Sequence, residues 1–132
     1  MPERRRAYPR LLAEQGLPGP DDATMEALRD IVDEGVLGAS NHVALALPLV
    51  AATAEAPRPT ARDEALALAG FIARTRGAGA PIVANALTWL TDGVSELSPA
   101  EAAARLRARA GRWDALARER RSRLVARAAE AL

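Results

Sequence analysis

Ser98-Pro99-Ala100-Glu101-Ala102-Ala103-Ala104-Arg105-Leu106 carries the clearest helix start in the chain. Serine stands at the cap, proline at the first helical position and glutamate at the third, where serine and glutamate each satisfy a backbone N–H that the first turn leaves open. No proline follows, so the helix can run to the end of the chain. Leu106, Ala110, Trp113, Ala117, Leu124 and Ala128 recur along it at helical spacing. Arg105, Arg109, Arg112, Arg120, Arg123 and Arg127 form a second stripe about a quarter turn away. At ~1.5 Å per residue this helix outreaches the short helices before it. Part of its apolar stripe, around Trp113, Leu116 and Leu124, is therefore expected to be exposed in a monomer and covered at an interface.

Upstream the chain also reads as helices. Alanine and leucine dominate, and no segment alternates with period two. Residues 3–15 offer a short helix, but Pro9 and the break Gly16-Leu17-Pro18-Gly19-Pro20 mark 1–23 as a lead-in of uncertain order ahead of a bundle over 24–132. Asp21 or Asp22 caps a helix with Met25, Leu28, Ile31 and Val32 on one face, ending near Gly35. Ser40 or Asn41 caps the next, which runs to about Ala56 with a kink at Pro48. Pro57-Arg58-Pro59 is a stiff connector, and Thr60 with Asp63 resembles a capping box ahead of Leu66, Ala69 and Ile72. Asp92-Gly93 closes a helix from Pro81 to about Thr91. The expectation is an all-α protein: one bundle of about five to six helices with a long C-terminal helix.

Composition narrows the chemistry. The chain of 132 residues fits one domain and has no cysteine, which excludes disulfides, thiolate metal sites and cysteine nucleophiles. All 18 basic residues are arginine against 17 acids, and a net charge of +1 argues against a dedicated nucleic-acid binder. Met1-Pro2-Glu3-Arg4-Arg5-Arg6 has no apolar run behind it, and no apolar segment approaches a membrane span, so cytoplasmic residence is expected. His42 is the sole histidine, leaving no pair for a two-histidine metal site or an acid–base couple; no metal and no cofactor are expected. Asp30, Asp33 and Glu34 read as a solvated helix face. Nothing here makes a self-sufficient active site.

One segment could hold a small ligand. Arg74-Thr75-Arg76-Gly77-Ala78-Gly79-Ala80-Pro81 places two arginines and two glycines before a proline that suits a first helical turn. Read as a loop, it offers backbone N–H groups and guanidinium groups to a phosphate or carboxylate. If it converges with Gly38-Ala39-Ser40, the phosphate-binding set is Gly38, Ala39, Ser40, Arg74, Arg76, Gly77 and Gly79. An exposed Arg76 would add little to stability.

From about Thr24 to Leu132 the chain resembles the helical N-terminal domain of the family of ribose-1,5-bisphosphate isomerase, methylthioribose-1-phosphate isomerase and the regulatory subunits of initiation factor 2B. Val36-Leu37-Gly38-Ala39-Ser40 resembles that family's Arg-Gly-Ala helix start. Thr75-Arg76, Pro81 and Asn85-Ala86-Leu87 resemble its Thr-Arg-Pro-Thr-Ala segment, and the helix from Ser98 resembles the one that leads into a Rossmann-like catalytic domain. Leu37 stands where the family has its motif arginine, and Gly77 where it has a proline. The family's catalytic cysteine and aspartate lie in the Rossmann-like half. The resemblance thus implies a stand-alone accessory or binding subunit, not catalytic alone, that pairs with a separate Rossmann-like polypeptide as part of a split sugar-phosphate isomerase or a regulatory relative. A phosphorylated sugar or nucleotide would lie at the interface. The alternative is a helical interaction or self-association protein with no small-molecule ligand.

Overall fold

A computed structural model of the chain describes residues 4–34 and 38–131. The architecture is all-α: α1 (Ala7–Glu14), α2 (Asp22–Leu28), α3 (Ala39–Ala54), α4 (Ala61–Gly79), α5 (Pro81–Thr91) and α6 (Pro99–Ala131), with no strand among the described residues. A π-helical segment, Arg29–Asp33, continues α2. Gly35, Val36 and Leu37, including the position of the missing motif arginine, lie outside the described residues.

Helix α4 runs through the middle of the bundle, against α3, α5 and α1. It buries Ala65, Leu68, Phe71 and Ile72. Val43, Leu47 and Val50 of α3 and Val83, Leu87 and Leu90 of α5 join the same core. Helix α6 closes the bundle with Ala102, Leu106 and Ala110, lying chiefly along α3. The lead-in is part of this core as well. Tyr8 and Leu12 of α1 are each 1 % exposed, and the Tyr8 ring lies 5.2 Å from Phe71. Pro9 does not break α1, because as its third residue it has an N–H position that would be unpaired anyway.

Of the caps expected from local sequence, two hold with their side-chain bonds, one moves, and one keeps its residue without its bond to the backbone. The Asp21 carboxylate accepts from the Thr24 amide at 2.7 Å, and the Ser98 hydroxyl accepts from the Glu101 amide at 3.2 Å. Helix α3, by contrast, starts one residue earlier than Ser40, with Gly38 at the cap. Thr60 caps α4 without a side-chain bond to the backbone; its hydroxyl donates to Glu64 at 2.8 Å. Pro48 lies inside α3 on its exposed side, where the Ala44 carbonyl that loses its helical partner can be hydrated. Gly93 adopts φ 73°, the left-handed turn that ends α5 and lets the chain reverse toward α6.

The largest departure is at residues 74–79. They are the last turns of α4, and Ala80 alone separates α4 from α5. So abrupt a reversal presses the two backbones together at Gly77, where an added Cβ would stand 2.9 Å from Ala84 Cβ and 3.3 Å from its Cα. At Gly79 an added Cβ would meet nothing within 4 Å. Gly77→Ala should therefore cost about 1–3 kcal/mol through overpacking. Gly79→Ala should leave stability unchanged or raise it by up to about 1 kcal/mol, as glycine is a poor helix former. Urea unfolding of the two variants checks the contrast.

Candidate functional site

The helical conformation of residues 74–79 rearranges the expected anion site. Gly77 lies in the last turn of α4 and Gly79 is its final residue, and the carbonyl end of α4 sits directly against the N–H end of α5, which opposes the field an anion would need. Two residues apart on a helix, Arg74 and Arg76 leave it on nearly opposite sides. Arg74 folds back over Gly70, in a recess shared with Gln15, Leu17 and Asp63. Arg76 reaches the other way and is spent on main-chain oxygens. Its Nε donates to the Ile31 carbonyl at 2.9 Å, and its Nη2 donates to Glu34 at 2.8 Å and Val32 at 3.4 Å. These carbonyls belong to the end of the π-helical segment, where orphan acceptors need a donor. The structure does not bring Arg74 and Arg76 together, and Gly77 is buried against Ala84.

The start of α3 lies on the Arg76 side of the bundle. Gly38 occupies the cap with extended backbone (φ −68°, ψ 161°), and no side chain satisfies the first N–H groups. Ala39 is half-buried against the core, Ser40 is exposed, and space beside Gly38 is open. Four residues into the sequence from Gly38, His42 is 1 % exposed and its Nε2 has no hydrogen-bond partner among the described residues. Burial and then the Arg76 charge hold its pKa below the usual histidine value, against an opposite pull from the carbonyls of Glu34 and Asp30. Arg76, His42 and the α3 start are thus neighbours, although Arg76 is occupied by carbonyls. The Asp33 carboxylate, expected on a solvated face, instead binds the Arg5 guanidinium at 2.5 Å and tethers the lead-in.

Helix α6 divides in two. Up to Trp113 it belongs to the bundle, and Arg109 is no solvated stripe residue: its Nη1 donates to the carbonyls of Leu90 at 2.9 Å and Asp92 at 2.8 Å, capping α5. The half-buried Trp113 ring lies 6.1 Å from Trp89. Beyond it the helix is exposed, save for a half-buried Ala117. Leu116 is 48 %, Leu124 58 % and Val125 70 % exposed. The face that buries Ala102, Leu106 and Ala110 continues as Ala117, Leu124 and Ala128 with nothing packed on the outer two. Arg118 pairs with Asp114 and Arg123 with Glu119 along the helix. Arg112, Arg120, Arg121 and Arg127 form no ion pair among the described residues.

A polar cluster that the sequence did not reveal joins α1 to the α3–α4 connector. Glu64, 2 % exposed, accepts from Arg58 Nη2 at 2.6 Å, Arg58 Nε at 3.1 Å and Thr60. The Tyr8 hydroxyl donates to the Glu64 carbonyl at 3.5 Å, a long bond. Burial, and next the Glu64 charge, raise the Tyr8 pKa far enough that it stays a neutral hydroxyl. Arg58 between two prolines was the available signal, because its six-residue separation from Glu64 is too irregular to read as a helical pair.

Bundle and protruding arm define an all-α module. No protein-family model, curated protein or solved structure matches the chain.

Two outcomes follow from the Arg76–His42 region. Arg76→Ala strands three carbonyls and should lower unfolding free energy by about 1–3 kcal/mol, in contrast to the near-neutral effect expected of an exposed arginine. Because the His42 pKa is lowered on folding, the unfolded chain binds more protons below its ordinary value of 6.5. Stability should therefore be level above about pH 6.5 and fall as pH drops toward 5. His42→Leu should flatten that part of the urea-midpoint profile.

Proposed function

We propose that this chain is a helical accessory subunit, not catalytic by itself, that acts by binding another polypeptide along the free half of α6. The observation that carries this reading is the unbroken face from Leu106 to Ala128, packed in the first half of the helix and bare at its far end. Amphipathic faces of this kind are covered in assemblies when the chain's own core does not cover them. Arg112, Arg120, Arg121 and Arg127, which form no ion pair among the described residues, favour a partner with an acidic surface. No helix among the described residues is long and apolar enough to cross a membrane, which fits a cytoplasmic setting for such a subunit.

The resemblance to the N-terminal domain of the sugar-phosphate isomerase and initiation factor 2B family supports a Rossmann-like polypeptide as that partner. In this reading the uncapped α3 start, Gly38-Ala39-Ser40, supplies backbone donors to a sugar phosphate or nucleotide where the subunits meet. Arg74 and Arg76 are weaker contributors than their sequence suggests, since one lies over Gly70 and the other serves carbonyls. The second reading is self-association through α6 with no small ligand. It draws on the same exposed leucines, but arginines flanking the stripe oppose two copies laid face to face.

Light scattering of the full chain, alone and with a candidate Rossmann-like subunit, separates the readings. Leu116→Glu together with Leu124→Glu should abolish the association while moving stability by no more than about 0.5 kcal/mol per site, since both side chains are exposed. A chain that is monomeric at high concentration and binds no partner would overturn the proposal.

A further inference from the structure

Where α1, the start of α2, the second half of α3 and the α3–α4 connector meet, they form a cavity of about 200 Å³ that opens to solvent beside the exposed Asp21, Ala52 and Arg58. Leu12, Leu49 and Ala52 give it an apolar wall, and Tyr8, Asp21 and Arg58 reach it with polar groups. The volume lies below the roughly 300–1,000 Å³ of sites for drug-sized ligands, so an occupant is limited to one short chain with its end groups.

The charges around this cavity are separated. Glu64, at the wall, takes the Nε and Nη2 edge of Arg58, leaving Nη1 without a hydrogen bond among the described residues. The Asp21 carboxylate spends one oxygen on the Thr24 amide. Asp21 and Arg58 act on each other electrostatically, yet no ion pair forms between them. A guanidinium and a carboxylate thus line one small cavity without touching. A lone anion there would meet the Arg58 nitrogen but also two carboxylates, and a lone cation would meet Asp21, with Glu64 already engaged by Arg58, but would leave the free edge of Arg58 without an anion. A molecule with both charged groups on one carbon satisfies both, and its alkyl group fills the apolar side. The Tyr8 hydroxyl, held neutral and bonded only at 3.5 Å, has lone pairs left for an ammonium.

The geometry points to a binding site for a small aliphatic α-amino acid, its carboxylate on Arg58, its ammonium on Asp21 and Tyr8, and its side chain against Leu12, Leu49 and Ala52. The site is separate from the α6 face and from the α3 start, so it stands or falls independently of the proposed assembly role.

The test is titration of the full chain, followed by amide NMR, with L-valine and with two relatives that each lack one charge, isobutylamine and isovalerate. Valine should shift the Thr24 and Thr53 amides and saturate at about millimolar concentration, while each relative binds at least about tenfold more weakly. Asp21→Asn keeps the helix cap, because asparagine caps as well as aspartate, and should weaken valine at least about tenfold. Ala52→Leu fills the cavity without altering a charge and should abolish the shifts. Valine that moves neither amide at tens of millimolar, relatives that bind as tightly as valine, or an Asp21→Asn variant with unchanged affinity would each overturn the assignment.

Discussion

Helix α5 has its direction set by one residue. With only Ala80 between α4 and α5, the chain reverses within the space of a peptide unit, and the two backbones meet at Gly77 and Ala84. Much of the bundle follows from that approach. It brings Val83, Leu87 and Leu90 onto the face of α4 that carries Phe71 and Ile72. It leaves the far end of α5 where Arg109 can cap its carbonyls, and so fixes where α6 crosses. A side chain at position 77 would act on all of these at once.

Arginines do much of the joining between segments. Arg76 ties α4 to the π-helical turn, Arg109 ties α6 to α5, Arg58 holds the buried Glu64, and Arg62 donates to the Leu97 carbonyl at 2.7 Å. Arg5 ties the lead-in to Asp33. A planar guanidinium serves several carbonyls at once and stays charged when partly buried, which a chain without lysine uses at each seam. The cationic stripe on α6 is consequently two populations. Arg109 is structural, whereas beyond Trp113 Arg118 and Arg123 pair with acids along the helix and Arg120, Arg121 and Arg127 form no ion pair among the described residues.

What the sequence made legible was local. The Asp21 and Ser98 caps, the stop at Gly93, the helical spacing of α6 and the all-α class each depend on neighbours within a turn or two. What it concealed was distant. Gly77 and Gly79 look alike in sequence, but one is required by Ala84 on the next helix, once the chain reverses at Ala80, and the other by nothing nearby. Arg76 reads as a free cation until carbonyls 42 to 45 residues away are placed beside it. Pro9 reads as a breaker, though its position as the third residue of α1 makes it harmless. The candidate phosphate set inherits the same difficulty: Gly38, Ala39 and Ser40 do start a helix, whereas the glycines taken for a loop continue one.

Trp89 and Trp113 are the only tryptophans in the chain, and they face each other where α6 leaves the bundle. The intrinsic fluorescence of the protein therefore originates at the root of the arm. Any event that bends, docks or releases the outer half of α6 acts on this ring pair first, while rearrangements around Tyr8 or His42 occur elsewhere in the bundle. The molecule carries a built-in optical gauge of its most exposed element, readable without a label.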